Sequence, residues 1–173
     1  MRLNSPVDDL VKYASSTSRI ELGEVNLNTV MKDVLEDFEL LSNENGAVIT
    51  VHALTVISAD DVQMWQVFSN FIANSIKYRK ADIAPEITNC IDAASPNKKY
   101  YKVIVHDNGI GIDAIFLNKI FTIFARLHMP DEYSGNGIGL AICKKIMENQ
   151  SGKITVESTP NMGSIFNLFF PVN

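Results

Sequence analysis

One predicted helix carries an unusual set of polar residues. Within residues 60–79, Gln66, Asn70, Asn74 and Lys77 recur every three or four positions, which places them within a sector of about 80° on one helix face. Carboxamide oxygens suit Mg²⁺, and a lysine one turn away suits phosphate oxygens. The residues alone also allow a plainer interpretation, in which the asparagines bond to neighbouring backbone. The opposite side predicts a buried face made by Trp65, Phe68, Phe71, Ile72 and Ile76.

A first glycine cluster comes directly after a predicted strand. In residues 107–111, Asp-Asn-Gly-Ile-Gly, the glycines allow the backbone to approach a ligand closely. A dinucleotide-binding fingerprint needs a third glycine where Ala114 stands, and the chain has no Gly-Lys-Ser/Thr of a P-loop. Both familiar nucleotide motifs are therefore excluded.

A second cluster opens a predicted helix. Gly135, Gly137 and Gly139 stand at alternate positions just before a run with helical periodicity. Unpaired N–H groups and the positive end of the helix dipole favour a polyphosphate at such a position. The alternative is a plain helix entry turn, which needs about one glycine, so three at alternate positions favour a phosphate site.

Composition limits the class of protein. The chain has 173 residues, 46% of them hydrophobic and 20% charged, which is typical of one folded domain. A formal net charge of −5 argues against a general nucleic-acid binder, which needs a basic face. No stretch approaches the roughly 20 apolar residues that cross a bilayer, so we expect a cytoplasmic protein without a membrane segment. Cys90 and Cys143 lack metal-ligand spacing and are interpreted as small buried hydrophobes.

The hydrophobic pattern alternates between helical and strand periods, and hairpins outnumber crossovers. A mixed sheet is therefore expected. The pattern predicts a helix capped by Asn28 that continues to Leu41, further helices at Asp60–Arg79, Asp113–Lys119 and Ile138–Asn149, and strands at Glu21–Leu27, Ala47–Leu54, Thr55–Ser58, Glu86–Ala93, Tyr100–His106, Gly152–Glu157 and Ser164–Phe170.

Five motifs, in order and spacing, resemble the ATP-binding fold shared by histidine kinases, gyrase-type topoisomerases and related chaperones, the Bergerat or GHKL fold. The similar runs are Asn70–Tyr78 (N box), Asp107–Gly111 (G1 box), Ile120–Leu127 (F box), Gly135–Ala141 (G2 box) and Gly163–Phe166. An F box is characteristic of histidine kinases, and several runs are similar to the phytochrome-like, PAS-linked branch.

The resemblance covers roughly residues 25–172 and implies an architecture. It implies an α/β two-layer sandwich, with a mixed sheet of about five strands and three main helices on one face. Residues 20–173 would form the ATP-binding catalytic domain of a sensor histidine kinase. Residues 1–19 would be the tail of a helix from the dimerisation and phosphoacceptor hairpin.

The resemblance also assigns roles. Asp107 would accept a hydrogen bond from the adenine amino group, Asn74 would hold Mg²⁺, and Tyr78 would pack near the base or ribose. Asn70, Lys77 and Arg126 are the candidate catalytic residues: Asn70 would support the metal, Lys77 would contact phosphate, and Arg126 would neutralise phosphoryl charge or form a salt bridge at the lid hinge. Asn70, Asn74, Lys77, Tyr78 and Asp107 are also nucleotide-binding candidates, together with Gly109, Gly111, Ile112, Phe124, Gly135, Gly137, Ile138, Gly139, Leu140 and Ser164, and residues 127–136 would form a mobile lid.

One position separates the branches of this superfamily. Its ATP-hydrolysing members carry a water-activating glutamate one helical turn before the metal-binding asparagine, and here that position is Asn70, which cannot act as a general base. This favours transfer to a protein histidine over hydrolysis. The alternatives are a regulatory nucleotide-binding module without transfer, a GHKL-type ATPase, and a serine kinase of the anti-sigma type.

The partners implied are a dimerisation and phosphoacceptor domain and a response regulator. None of His52, His106 and His128 lies on an amphipathic helix followed by an acidic residue, so the phosphoacceptor is expected outside this chain. The dimer contacts would then also lie elsewhere, and this chain alone is expected to be a monomer. Asn136 stands where a threonine or serine is usual in the G2 box.

Overall fold

The computed structural model describes residues 21–92, 99–125 and 136–172, with the backbone alone at 89–92. Within these ranges no helix is both long and apolar enough to cross a membrane. The elements in chain order are β1 (Gly23–Asn26), α1 (Leu27–Asp37), α2 (Glu39–Glu44), β2 (Val48–Val51), β3 (Val56–Ala59), α3 (Asp61–Lys77), β4 (Glu86–Asp92), β5 (Tyr100–Asp107), a 3₁₀ turn (Ala114–Phe116), α4 (Gly139–Asn149), β6 (Lys153–Thr159) and β7 (Gly163–Pro171).

The main sheet has five strands in the order β2-β4-β5-β7-β6. Only β2 and β4 are parallel, whereas β4 with β5, β5 with β7, and β7 with β6 are antiparallel. The predicted mixed sheet of about five strands, and the two-layer fold, are confirmed. The sequence did not predict that β1 and β3 would leave this sheet and pair with each other, antiparallel, in a separate ribbon.

Helices α1, α3 and α4 form the second layer. Helix α3 contacts both α1 and α4, and α4 contacts β6 and β7. The aromatic rings of Phe71 on α3 and Phe166 on β7 lie 4.9 Å apart at a tilt of 48°, a favourable arrangement that joins the layers. Leu168, Ile146 and Met64 are fully buried in the same core. The hydrophobic effect therefore fixes α3 against the sheet, with its remaining face outward.

Helix α3 begins and ends with favourable local chemistry. The Asp60 side chain accepts a hydrogen bond from the Gln63 N–H at 3.0 Å, which satisfies an otherwise unpaired donor. Asp61 lies in the first turn and Lys77 in the last, as the helix dipole favours. The predicted buried face is confirmed at Phe68, Phe71, Ile72 and Ile76. Trp65 was wrongly placed in it, since it is 37% exposed.

Four local predictions were wrong. The N-cap of α1 is Asn26, whose side chain accepts from the Asn28 N–H, while Asn28 instead bonds to both backbone groups of Leu54. The helix ends at Asp37 because Phe38 leaves helical geometry, and α2 follows separately. The helix predicted over 113–119 reduces to the 3₁₀ turn, and the strand predicted at 47–54 is only Val48–Val51. The strand predicted at 55–58 keeps its length and lies one residue along, at Val56–Ala59.

Candidate functional site

A pocket with a cavity volume of about 90 Å³ opens between α3 and the end of β5. Its walls are largely apolar, with a few polar groups at the base, which is the usual make-up of a small-molecule site. It is lined by Phe71, Asn74, Ser75, Tyr78, Asp107, Ile110, Gly111, Ile112, Ile120, Ala125, Leu140, Ser164 and Phe166. We call it the base pocket.

Asp107 is the buried carboxylate of the base pocket and ends β5. Its Oδ1 accepts a hydrogen bond from the Gly109 N–H at 2.9 Å, and the Ser164 backbone N–H lies close enough to lower its pKa. Burial raises the pKa of Asp107 above its usual value of 3.8. The two N–H groups, with smaller effects of His106 and Lys80, partly oppose that rise. The site therefore holds an acceptor where desolvation makes an unpaired polar group costly.

The backbone behind Asp107 leaves no room for side chains. A Cβ on Gly109 would lie 2.7 Å from the carbonyl oxygen of Tyr78, and one on Gly111 would lie 2.0 Å from that of Thr159. Gly111 has a φ of +69°, in the left-handed region that favours glycine. The loop 107–111 is thus pressed between the end of α3 and the β6–β7 turn, and this fixes the base pocket.

The outward face of α3 carries the predicted polar residues into a second space. A groove of about 580 Å³ joins the base pocket and faces residues 136–140. It is lined by Gln66, Asn70, Asn74 and Lys77 of α3 and by Tyr78, the residue after the helix. Asn70 donates to the Gln66 carbonyl oxygen at 2.9 Å, and its Oδ1 faces Gly139, where a Cβ would come within 2.7 Å. The Asn74 carboxamide makes no hydrogen bond within the described part of the chain. Its oxygen is available to a ligand.

Lys77 is the cation of the groove. Its Nζ donates to the Tyr78 hydroxyl at 2.8 Å and lies 4.3 Å from the centre of that ring. In the described ranges, no carboxylate forms an ion pair with Lys77. An incoming phosphate would therefore compete only with a neutral hydroxyl and a ring face.

Helix α4 points its N-terminus at the groove. No side chain caps it, and the first intrahelical bond there is from the Ile142 N–H to Ile138. The N–H groups of Gly139, Leu140 and Ala141 find no acceptor among the described residues. Gly137 has a φ of +69° just before the helix. Such a terminus offers backbone donors and a partial positive charge to an anion.

The structure brings most of the predicted nucleotide residues together. Asp107, Gly111, Ile112, Tyr78 and Ser164 line the base pocket, and Gly109 lies directly behind it. The groove gathers Asn70, Asn74, Lys77, Gly137, Ile138, Gly139 and Leu140. Phe124 lines neither space, since it is 56% exposed and its neighbour Ala125 takes the lining position. Arg126 and Gly135 lie outside the described residues. So does the lid predicted at 127–136, except for its last residue, Asn136, which lines the groove.

Sequence reasoning missed part of the base pocket. Ser75 and Phe71 lie within the N box, but the hydrophobic pattern places Phe71 on the buried face of α3 and assigns no role to Ser75. Ile110, Ile120, Ala125 and Phe166 are apolar residues within recognised motifs, and only packing shows which of them reach the pocket. Ser158 on β6 was also missed, because nothing nearby in sequence marks it.

The remaining candidates lie apart from the site. His52 and His106 are exposed, and His128 lies outside the described residues. Cys143 is fully buried, as predicted, and burial raises the pKa of its thiol well above its usual range. The side chain of Cys90 is outside the described residues. No group of three His, Cys, Asp or Glu side chains that could hold a metal occurs in the described ranges.

Comparison with known proteins agrees with this geometry. The family model for the histidine kinase-, DNA gyrase B- and HSP90-like ATPases matches residues 59–173. Phytochrome-like protein Cph1 of Synechocystis sp. is 41% identical over 96% of this chain and 22% of that protein. Sensor histidine kinase RcsC of Escherichia coli is 27% identical over 99% of this chain and 18% of that protein. The chain spans about a fifth of the length of these curated relatives.

Solved structures show the same fold. The nucleotide-free catalytic domain of histidine kinase ThkA has a TM-score of 0.73 and 26% identity, covering 87% of this chain and 95% of that one. Full-length ShkA in complex with AMPPNP has a TM-score of 0.79 and 23% identity, covering 95% of this chain and 35% of that one. The matched residues 59–173 contain both the base pocket and the groove. The chain therefore belongs to the histidine kinase-, DNA gyrase B- and HSP90-like ATPase family, and its domain is of the histidine kinase type.

Proposed function

We propose that this domain binds Mg-ATP and transfers the γ-phosphoryl group to a histidine on a dimerisation and phosphoacceptor domain. The observation that carries the proposal is the arrangement of one buried acceptor, Asp107, beside a groove that ends at the N-terminus of α4, where the first N–H groups find no acceptor among the described residues. An adenine amino group fits the acceptor, and a polyphosphate fits the helix N-terminus. A response-regulator aspartate would then receive the phosphoryl group, and a domain that uses ATP is placed in the cytoplasm.

The residues present fit a magnesium ion. The Asn74 carboxamide oxygen makes no hydrogen bond within the described residues and faces the groove, and a neutral oxygen donor suits Mg²⁺ when phosphates supply the other ligands. Asn74 would hold the ion, and Asn70, held by its bond to Gln66, would support it from one turn away. Bound magnesium would neutralise phosphate charge during the transfer.

The protein's own contribution is orientation and charge. The base pocket would fix the adenine, while the donors of α4 and the ammonium group of Lys77 would hold the phosphates. Asn70 offers no general base for water, so the groove supports attack by an external imidazole rather than hydrolysis. This distinction supports the kinase over a GHKL-type ATPase.

Two measurements on the folded chain test this function. Titration calorimetry with a non-hydrolysable ATP analogue should give binding that prefers adenine over guanine and strengthens with Mg²⁺. Incubation with labelled ATP and a separately expressed phosphoacceptor hairpin from a related kinase should label that hairpin on histidine. Acid-labile label that requires the hairpin's histidine is the expected result. Binding without transfer would favour the regulatory module, and steady hydrolysis without a hairpin would favour the ATPase.

The proposal also predicts the oligomeric state of this chain. The dimer contacts of such a kinase would lie in the hairpin, so the chain alone should sediment as a monomer. A stable dimer in analytical ultracentrifugation at micromolar concentration would contradict this part of the proposal.

A further inference from the structure

A hydroxyl-centred cluster lies behind the base pocket, on the β6–β7 hairpin. The Oγ of Ser158 on β6 lies 2.7 Å from the carbonyl oxygen of Gly163 and 2.9 Å from the Oγ of Ser164 on β7. The same atom lies 2.8 Å from the backbone nitrogen of Ile112. Ser158 therefore joins the loop that follows Asp107 to the strand that supports its carboxylate.

Proton accounting fixes the direction of each bond in this cluster. A serine hydroxyl has one proton to donate and two lone pairs to accept with. The Ser158 proton must lie toward Gly163, because two oxygen acceptors at 2.7 Å would otherwise face each other. One lone pair of Ser158 receives the Ile112 N–H. The other is left for Ser164, so the only hydroxyl proton of Ser164 points at Ser158, away from the pocket.

As a consequence, this wall of the base pocket presents hydrogen-bond acceptors to a ligand. Ser164 is 5% exposed and lines the base pocket, and with its proton committed it can only accept from a ligand. Beside it lies the Asp107 carboxylate, since Asp107 and Ser164 are paired across β5 and β7 and line the same pocket. Two acceptors on one wall match a ligand group with two N–H donors. They oppose a ligand carbonyl at the same place, because a buried acceptor would then be left unpaired.

We infer that Ser158 is a positioning residue for base selectivity, which holds the Ser164 hydroxyl as an acceptor so that the pocket selects the exocyclic amino group of the purine. This inference rests on the proposed function, since it takes the ligand to be ATP. Without the Ser158 hydroxyl, the Ser164 proton is free to turn toward the pocket or toward Asp107, and one of the paired acceptors is lost.

The test compares two ligands that differ only in the amino group. Calorimetry would measure Mg-ATP and its 6-deamino analogue, purine riboside triphosphate, against the unsubstituted chain, Ser158→Ala and Ser158→Thr. Ser158→Ala should weaken ATP by about fivefold, the effect of losing one hydrogen bond, and leave the deamino analogue within about twofold. Ser158→Thr keeps the hydroxyl and should preserve the ratio of the two affinities.

The outcomes separate this inference from the proposed function. No binding of ATP by the folded unsubstituted chain would end the proposed function itself. Normal ATP binding with an unchanged ATP-to-deamino ratio in Ser158→Ala, or equal weakening of both ligands, would overturn the role of Ser158 and leave the function standing. Should Ser158→Ala fail to fold, Ser164→Ala removes the same acceptor, and there too an unchanged ratio would overturn the inference.

Discussion

The two ends of the site are built differently. At the base pocket, Asp107 is buried and its carboxylate accepts the Gly109 N–H. Gly111 packs so closely that a Cβ on it would lie 2.0 Å from the Thr159 carbonyl oxygen. At the groove, and within the described residues, the first N–H groups of α4 lack an acceptor and the Lys77 ammonium group contacts Tyr78 without an ion pair. The base pocket is held in shape by contacts within the protein, whereas the groove presents hydrogen-bond donors to a ligand.

This difference indicates a division of labour. A preformed acceptor in a closed space discriminates between bases, because a wrong partner leaves it desolvated and unpaired. Exposed donors around a groove can bind a polyphosphate in several orientations, and each donor contributes modestly to the binding free energy. Substitutions at the base pocket should therefore act in an all-or-none manner, and substitutions at the groove should act in small steps.

The largest effect is expected from Asp107→Asn. The carboxylate accepts from the Gly109 N–H and would accept from the ligand amino group, whereas an amide must turn its NH₂ toward one of these two donors. We expect ATP affinity in calorimetry to fall by at least about 100-fold. The matched control is Asp113→Asn, at an exposed residue that accepts from the Ile115 N–H, a role that asparagine also fills. Comparable losses in both variants would mean that the base pocket is not the ATP site.

Gly111→Ala tests whether the base pocket is as rigid as its contacts imply. The new Cβ would overlap the Thr159 carbonyl at a φ of +69°, so either the loop 107–111 or the β6–β7 turn must move. We expect the free energy of unfolding in urea to fall by about 2 kcal/mol. Gly23→Ala is the control, because no atom lies within 4 Å of its Cβ position. Equal stability of the two variants would show that the loop yields easily.

Lys77→Met sharpens the comparison at the other end. Loss of the ammonium group should weaken ATP by about tenfold, the worth of one charge-assisted contact, and leave adenosine unchanged within about twofold. Lys144→Met on α4 controls for the loss of charge, since Lys144 is exposed and pairs with Glu148 on the helix surface. Calorimetry with both ligands decides the point. A loss of adenosine affinity as large as that of ATP would place Lys77 in the recognition of the base instead.

The elements that carry the site could be predicted from sequence because their signals are local. The outward face of α3 follows from helical spacing. The glycines at 109, 111 and 139 mark places where other parts of the same chain pack against the backbone, and Gly137 has a positive φ. The chemical roles came from the resemblance of the motifs to a family rather than from spacing.

What could not be predicted depends on contacts between distant residues. Ser158 lies 46 positions from Ile112 and becomes relevant only when β6 pairs with β7 beside the loop. The separate β1–β3 ribbon follows from packing that no local pattern encodes. Phe124 was expected at the nucleotide, yet its backbone has a φ of 64° and its side chain lies outward. A period-based pattern cannot anticipate such a turn.

The smallest expected effect is a pH dependence that arises at the base pocket, in which protein stability and ATP affinity change in opposite directions. Burial raises the folded-state pKa of Asp107 above the value of 3.8 expected when the chain is unfolded. Between these two values the folded chain binds more protons, so the contribution of Asp107 to stability falls as pH rises through that window and stays lost above it. ATP needs the ionised carboxylate, so affinity should change in the opposite direction and fall as the pH drops through the same window.

Thermal unfolding and calorimetry over the same pH series would measure both trends. Asp107→Asn cannot titrate at this position, so the difference between its stability profile and that of the unsubstituted chain isolates the contribution of Asp107 from that of other groups. The prediction requires the stability curves of Asp107→Asn and of the unsubstituted chain to diverge in the pH window between 3.8 and the raised pKa of Asp107. ATP binding by the unsubstituted chain should weaken in the same window. Parallel stability curves would mean that the buried carboxylate releases its proton as an exposed one does. The base pocket would then be more solvated, and more like the groove, than its contacts indicate.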